Sequence, residues 1–421
     1  MKILYCDWGS NSNQDICKSF QKLGIHYEVF QCSIINYEDD RNLLESLSRV
    51  LRRECFNAIF SFDYIPVVAY AAKECRTLYY AWVYYCPHST LFSESVNSEY
   101  NRIFLFDRQQ CDYFRKRGVK NVWHMPLAVN TDKYNDLLGT DIKNTEYIHD
   151  ISFIGNLYND NLYNQINYLP DYLKGYLNAI LQSQKSIYGY DLISELLTDE
   201  IINELNQYIK YGNDVAIEIP DRQIFLDILY KKLAELERRD VLAVCGECAS
   251  VALYTNSDTS AIHGDIKVFP PVDYDAQLPF LYRRSKINLN ITCRSIVSGM
   301  PMRILDVMAS GGFLVSNYQQ ELAEYFVPDE EVVLYESMDD LRQKLQYYLT
   351  HDEERKRIAD CETCSGDSIT GGTECPVEHC PFVKDAGGTL EKEATGRTRR
   401  RGKVETPAGN TGFTGRRVGT F

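Results

Sequence analysis

The sequence is short of basic charge and of long apolar runs. Its 421 residues include 45 Lys and Arg against 59 Asp and Glu, so the formal net charge is −14. This balance argues against a general polyanion binder, because phosphate backbones need a basic surface. No stretch approaches the roughly 20 apolar residues that span a membrane, and the N-terminus lacks the apolar core of a signal peptide. We therefore expect a cytoplasmic protein with no integral membrane segment that binds no nucleic acid.

The chain also lacks a glycine-rich dinucleotide motif after its first strand-like run. Ile3–Cys6 is followed by Asp7-Trp-Gly-Ser-Asn instead of Gly-x-Gly-x-x-Gly, so a dehydrogenase is a distant third hypothesis. Gly9 is interpreted equally well as a turn residue or as a point of close ligand approach. Ten of the 14 Cys are scattered before residue 361, and without a secretion signal we interpret them as reduced core residues.

What is present is a regular alternation of short apolar runs and helical patterns. Apolar runs that alternate with helices predict parallel sheets covered on both faces. The predicted strands are Ile3–Cys6, Tyr27–Cys32, Ala58–Phe62, Leu78–Val83, Arg102–Phe106, Val122–Met125, Ile151–Ile154, Val251–Tyr254, Ile266–Phe269, Ile287–Ile291, Gly312–Val315 and Val332–Tyr335. Val241–Val244 fits either a helix end or a strand. The last helical pattern runs from Met338 to Ala359.

These patterns divide the chain into two Rossmann-like domains and a tail. We predict an N-terminal domain over residues 1–130 and a C-terminal domain over 131–360, with a helical insertion over 160–240. Two doubly wound domains place a cleft between the carboxyl ends of two sheets, where ligands usually bind.

Residues 361–421 differ in composition from the rest of the chain. They carry eleven of the 24 Gly and none of the 31 Tyr, and too few large apolar residues to offset chain ordering, so we predict a disordered tail. Four cysteines there could supply zinc ligands, although their spacing matches no standard finger closely. These are Cys361, Cys364, Cys375 and Cys380.

The most informative segment precedes and begins a helix in the second domain. Gly299 lets backbone amides approach an anion, and Pro301 suits a first helical turn. The helix N-terminus and Arg303 could then bind a diphosphate, and Asp306, three residues on, could accept hydrogen bonds from a ribose. The alternative is an ordinary Arg303–Asp306 helical ion pair beside a turn glycine.

Several segments together resemble one known family. They are Phe60–Pro66, Ala81–His88, Ile103–Asp107, Pro126–Asn130, Tyr254–Asp258, Ser285–Ile291, Ser298–Val315 and Asn317–Phe326. Over residues 1 to about 360 the chain resembles the spore maturation protein (CgeB-like) glycosyltransferases, including the poorly characterised domain that precedes the transferase domain in that family.

The resemblance implies a GT-B fold with a nucleotide-sugar in the second domain. Related transferases often carry Glu-x7-Glu at this helix, where this chain has Ser298 and Asp306, and they carry basic residues where it has Gly155-Asn-Leu-Tyr158. The donor-binding residues implied here are Gly155, Asn156, Thr255, Asn256, Asn290, Thr292, Ser298, Gly299, Met300, Pro301, Arg303 and Asp306. The family's last helix, expected after Ala359, is replaced by the tail.

Two residues of the first domain are candidates for the catalytic base. His88 follows a strand end in a loop, and a near-neutral imidazole can accept the proton of an acceptor hydroxyl. Asp107, at another strand end, is the alternative. The mechanism needs neither a cofactor nor a metal, and we interpret the Asp-x-Asp at Asp273 and Asp275 as a helix cap supplied by Asp275.

We therefore predict a metal-independent glycosyltransferase with a nucleotide-diphosphate sugar as donor. The acceptor, whether glycan, protein or small molecule, is not indicated by the sequence. The alternative is a catalytically impaired nucleotide-sugar or carbohydrate-binding protein on the same scaffold, because the usual diphosphate clamp residues are missing.

Overall fold

Twelve β-strands form two sheets in the computed structural model, which describes residues 1–139, 146–209 and 217–360. Each sheet has six strands, and every strand pair is parallel. Helices cover both faces, so central strands such as Ala58–Phe62 are nearly continuous apolar runs, whereas the edge strand His26–Gln31 is largely exposed. The predicted fold class, two doubly wound α/β sheets, is confirmed.

The first sheet contains the strands β1 to β6 in the order β2-β1-β3-β4-β5-β6. The strands are β1 (Lys2–Asp7), β2 (His26–Gln31), β3 (Ala58–Phe62), β4 (Leu78–Val83), β5 (Asn101–Leu105) and β6 (Val122–His124). The helices are α1 (Asn13–Lys22), α2 (Arg41–Arg53), α3 (Pro66–Cys75), α4 (Arg108–Lys116) and α5 (Thr131–Leu138), with 3₁₀ turns at Ser89–Phe92 and Glu94–Asn97. The chain reverses direction across this sheet between β1 and β3.

The second sheet has the order β12-β11-β10-β7-β8-β9, which is the Rossmann order. Its strands are β7 (His149–Ile154), β8 (Val251–Tyr254), β9 (Ile266–Phe269), β10 (Ser285–Asn290), β11 (Leu314–Asn317) and β12 (Val333–Tyr335). Its helices are α11 (Leu278–Arg283), α12 (Met302–Ala309), α13 (Gln320–Tyr325) and α14 (Met338–Tyr348), and residues 352–360 are helical. The topological switch point lies between β7 and β10.

A helical insertion separates β7 from β8. It contains α6 (Leu162–Gln165), α7 (Asp171–Lys185), α8 (Leu192–Leu196), α9 (Asp199–Tyr208) and the 28-residue α10 (Asp221–Cys248). The first half of α10 packs in the core of the insertion through residues such as Leu229 and Leu233, and its last turns pack under the second sheet through Val241 and Leu242. Each fully buried Leu or Val contributes about 1.5–3 kcal/mol, so α10 is anchored at both ends.

The structure decides one open alternative and corrects one prediction of secondary structure. Val241–Val244 belongs to the last part of the helix α10, as one of the two alternatives had it, because the apolar pattern of the insertion continues to Cys248. The predicted helix Met338–Ala359 is interrupted, since α14 ends at Tyr348 and helix resumes at residue 352. α5 was not predicted.

Several predictions fall partly or wholly outside the described residues. The prediction of a disordered tail and that of a zinc site at its four cysteines belong to this group, as does the question of a helix after Ala359. Among the helices that the structure describes, none is both long and apolar enough to cross a membrane.

Candidate functional site

The switch point of the second sheet brings several of the predicted residues together. Gly155 and Asn156 follow β7, while Asn290 ends β10 and Thr292 lies just beyond it. In open α/β sheets, ligands bind outside the carboxyl ends of the strands at this point. The buried Asn290 side chain donates to Thr292 Oγ1 (2.8 Å) and Ser316 Oγ (2.9 Å), which fixes this edge of the sheet.

Two arginines lie at this switch point, and we call them the guanidinium pair: Arg238 of α10 and Arg303 of α12. Their Cζ atoms lie 5.3 and 5.2 Å from the centre of the Phe153 ring. Arg238 bridges the switch point, because it donates to the carbonyl of Asn156 after β7 and to that of Ile291 after β10 (2.9 Å).

The guanidinium pair has no carboxylate in direct contact among the described residues. Neither arginine forms an ion pair with a carboxylate among the described residues, and Arg303 donates to the neutral amide oxygen of Asn290 (3.3 Å). Burial, followed by repulsion from Arg303, lowers the pKa of Arg238 to about 10. An anion bound here would relieve both the repulsion and the loss of solvation.

Sequence reasoning found Arg303 but missed Arg238. Arg238 stands among the charged residues of a long helix, and no local motif distinguishes it from its partly exposed neighbour Arg239. The position of Arg238 depends on how α10 crosses the sheet, which is a tertiary property.

Gly155 is required for the close approach of Arg303. A Cβ atom at Gly155 would lie 2.7 Å from Arg303 Nη2 and 3.5 Å from the Phe153 ring. A larger residue would therefore displace the guanidinium. The predicted residues Thr255 and Asn256 follow the neighbouring strand β8, where Thr255 is buried and accepts from the Ser257 amide (3.0 Å), while Asn256 is exposed.

Asp306 is present at the expected helix position but is covered by tyrosines. Its carboxylate accepts hydrogen bonds from the hydroxyls of Tyr134 (2.8 Å) and Tyr274 (2.9 Å). Burial raises the pKa of Asp306 to about 6, although the two tyrosines oppose the rise. The ion pair with Arg303, which we considered as an alternative, does not form. Ribose binding by Asp306 stays a prediction, and in this arrangement a ribose would have to replace the tyrosine hydroxyls.

The raised pKa of Asp306 makes the stability of the protein dependent on pH. Because the folded state holds this proton more tightly than the unfolded state, the contribution is present at low pH and is lost as pH rises through about 6. We expect wild type to lose roughly 2 kcal/mol relative to Asp306→Asn between pH 4.5 and 7.5. Urea denaturation at the two pH values measures this difference, and a difference that does not change with pH would contradict it.

The amides that we predicted to bind a pyrophosphate are occupied by a carboxylate. The backbone N–H groups of Ser298 (2.9 Å) and Gly299 (3.1 Å) donate to Asp107 Oδ2 from the first domain. A Cβ at Gly299 would lie 2.9 Å from the Cα of Asp107. The glycine therefore allows the backbone at Asp107 to approach closely. In this structure the pyrophosphate therefore has no access to these two amides.

Asp107, which we predicted as the alternative catalytic base, lies in this contact between the domains. It is fully buried, and its Oδ1 atom also caps α4 by accepting from the Gln110 amide (2.8 Å). A carboxylate that several donors hold in place stabilises the contact between the domains rather than accepting a proton from a substrate.

The same contact contains a second buried carboxylate, Glu321 of α13. It accepts from the Arg108 amide (2.9 Å) and the Ser298 hydroxyl (2.8 Å), and it contacts His124 Nε2 (2.8 Å). Burial alone would raise the pKa of Glu321, but these donors, His124 first, hold it below its usual value. We call Asp107, Ser298 and Glu321 the interdomain latch.

Met300 and Pro301, two further residues that we predicted to bind the donor, lie in the hydrophobic core and at the start of a helix. Met300 is buried in the core under the second sheet, and Pro301 is the N-cap of α12 rather than its first helical residue.

In the Asp-x-Asp sequence, Asp273 and not Asp275 caps the turn, because Asp273 Oδ1 accepts from the amides of Asp275 (3.0 Å) and Ala276 (2.7 Å). The carboxylate of Asp275 instead pairs with Lys133.

His88 lies where a base could reach a ligand. It follows β4, and its Nε2 atom is buried without a hydrogen-bond partner among the described residues. Burial lowers the pKa of His88, although Asp63 opposes this, so the imidazole is neutral near pH 7 and can accept a proton. It lines a cavity of about 410 Å³.

Comparison with known proteins gives a match to one family model over part of the chain. Residues 223–363 match a family model described as glycosyl transferase-like, and this segment contains Arg238, Arg303 and Asp306. No curated protein matches the sequence significantly.

Solved structures with a similar arrangement include several glycosyltransferases. Sucrose-phosphate synthase from Thermosynechococcus elongatus is 8% identical, with 92% of this chain and 100% of that chain covered and a TM-score of 0.49. Anabaena Alr3699/HepE in complex with UDP and glucose is 10% identical, with 92% and 99% covered and a TM-score of 0.47. The UDP-forming alpha,alpha-trehalose-phosphate synthase from Burkholderia vietnamiensis is 12% identical, with 91% and 96% covered and a TM-score of 0.47.

Proposed function

We propose that this protein is a glycosyltransferase that moves a sugar from a nucleoside-diphosphate donor to an acceptor hydroxyl. The observation that carries the proposal is the guanidinium pair at the Rossmann switch point. It concentrates unpaired positive charge at a strand edge that is suited to ligands, in a segment that matches a glycosyl transferase-like family model.

The guanidinium pair would stabilise the charge that develops on the leaving group. As the bond between the sugar C1 atom and the diphosphate oxygen breaks, that oxygen keeps the electron pair, and nearby guanidinium groups lower the energy of this charge. Arg238 and Arg303 would thus take the place of the basic residues that the sequence lacks after β7. We propose that they do this without a metal ion.

The acceptor hydroxyl forms the new bond to C1 and must lose its proton. We propose that His88 Nε2 takes it, because this atom is buried, unpartnered in the described part of the chain and neutral near pH 7. We do not propose Asp107 for this role, since its Oδ2 atom already accepts hydrogen bonds from the amides of Ser298 and Gly299.

The test is an assay of the full chain with UDP-, GDP- and TDP-sugars over a panel of acceptors. We expect release of nucleoside diphosphate from one donor, and a fall in kcat of about 100-fold or more for His88→Gln with little change in donor affinity. His149→Gln, at the first residue of the strand β7, is the matched control and should leave kcat nearly unchanged. Donor binding without turnover in wild type would favour the alternative of a nucleotide-sugar-binding protein.

A further inference from the structure

A cavity of about 410 Å³ lies between the first domain and the helical insertion. The loop after β4 and the helix α4 form one wall, and α8, α10 and the segment before α8 form the other. Ser295 and Val297, in the loop that leads from β10 to α12, complete it. The cavity therefore belongs to neither half of the molecule alone.

Two residues that line the first wall have polar side-chain atoms without a hydrogen-bond partner in the described part of the chain. His88 Nε2 and Gln110 Oε1 are both buried, and neither has a hydrogen-bond partner within the described residues. Such atoms are uncommon in folded proteins and need an explanation, which a bound ligand provides. Two hydroxyl groups of one ligand fit these atoms, because each hydroxyl can donate its single proton to one of them.

The opposite wall offers aromatic and amide groups. Tyr190 is 53% exposed where it lines the cavity, although tyrosine rings are usually more buried. Gln223 and Tyr113 face each other across the cavity walls, and the Gln223 amide donates to the Tyr113 hydroxyl (3.0 Å). Aromatic rings beside a few placed polar groups are typical of sites for ring-shaped ligands that carry hydroxyls.

The charges around the cavity are mainly negative. Four carboxylates line it, those of Asp107, Asp191, Glu195 and Asp227, against one ammonium group, that of Lys116, although Asp227 also pairs with Lys231 (2.6 Å). Asp191 is held in place by the Tyr230 hydroxyl and the Ser194 amide. A phosphate or carboxylate on a ligand would meet this negative field at short range, which is unfavourable.

The cavity is close to the guanidinium pair. Tyr230 and Arg238 lie eight residues apart on α10, which corresponds to about 12 Å along the helix. The Ser295 hydroxyl also donates to the carbonyl of Cys86, two residues before His88 (3.1 Å). A sugar diphosphate bound at the pair could thus extend its sugar toward His88.

We propose that this cavity binds the acceptor, and that the acceptor is a carbohydrate without phosphate or carboxylate groups. This inference rests on the proposed transferase function, which it makes more specific. Acceptor hydroxyls would bond to His88 and Gln110, while the face of a sugar ring would stack on Tyr190.

The experiment uses the full chain with UDP present and measures sugar binding by saturation-transfer NMR and calorimetry. The probes are neutral sugars, including glucose, galactose, mannose and maltose, together with glucose 6-phosphate and glucuronate. We expect at least one neutral sugar to bind at least ten-fold more tightly than both anionic sugars. Tyr190→Ala should weaken that neutral sugar about ten-fold.

Charge reversal provides the matched pair of variants. Glu195→Lys, inside the cavity, should improve the affinity for glucose 6-phosphate at least five-fold, whereas Glu204→Lys, on α9 outside the cavity, should leave it unchanged. Failure of every neutral sugar to bind, equal affinity for anionic and neutral sugars, or equal effects of the two reversals would overturn the inference. If wild type binds UDP but one of these three outcomes is found, only the acceptor inference fails. If wild type does not bind UDP at all, the proposed function itself fails.

Discussion

Replacing Arg303 with methionine should weaken the binding of UDP by roughly 10- to 100-fold. Hydrogen bonds to charged groups contribute about 1.5–3 kcal/mol, and this variant removes one member of a pair that has no competing carboxylate partner in the described chain. Gly155→Ala should weaken UDP binding less, because the added Cβ would lie 2.7 Å from Arg303 Nη2 and the end of this flexible side chain can shift. Calorimetric titration of UDP into each full-length variant measures both effects.

The control for Arg303 is Arg239→Met on α10. Arg239 is partly exposed and lies 3.6 Å from Asp240, away from the Phe153 ring, so its loss removes the same net charge without touching the pair. UDP affinity should then remain within about two-fold of wild type, as expected for a surface charge. If Arg303→Met bound UDP as tightly as Arg239→Met, the guanidinium pair would not be the diphosphate site.

Removing the carboxylate of Asp107 should destabilise the protein by about 3 kcal/mol or more. The amides of Gln110, Ser298 and Gly299 would all lose their acceptor in a buried place, and each unsatisfied donor costs about 1–3 kcal/mol. Urea denaturation of Asp107→Ala measures the loss as a lower transition midpoint. Asp107→Asn keeps one acceptor oxygen, so its transition midpoint should lie between those of Asp107→Ala and wild type.

Asp112→Ala is the control for the latch, because this residue lies on the same helix, α4, but is about half exposed. Its midpoint should stay close to that of wild type. Should Asp107→Ala and Asp112→Ala unfold at the same urea concentration, the carboxylate between the domains would contribute nothing measurable to stability.

The strands were predictable because parallel sheets are buried on both faces. All twelve predicted strands are present, and segments such as Ala58–Phe62 and Val251–Tyr254 agree to the residue, since a run of apolar residues between turns has few other uses. The interruption of the helix after Tyr348 and the length of α10 were harder, because helical periodicity alone does not mark where a helix ends inside a core.

The site was predictable only where a local pattern or the family resemblance marked its residues. Gly155 could be recognised as the residue that closes a strand, Arg303 came from the pattern of a helix start, and Asn290 was implied by the family resemblance. Arg238 and the partner of Gly299 could not be predicted, since each depends on a helix or loop more than 60 residues away in sequence. The burial of Asp306 beneath Tyr134 and Tyr274 is likewise a product of tertiary packing.

The anchoring of α10 restricts how the helical insertion can behave. Leu229 and Leu233 of its first half pack in the core of the insertion, and Val241 and Leu242 of its last turns pack against the second sheet. The helix is continuous between these two contacts. A hinged lid would require a flexible joint, and a continuous buried helix offers none. The insertion and the second sheet should therefore melt as one cooperative unit, and substrates would enter through motion of side chains and loops instead of a swinging flap.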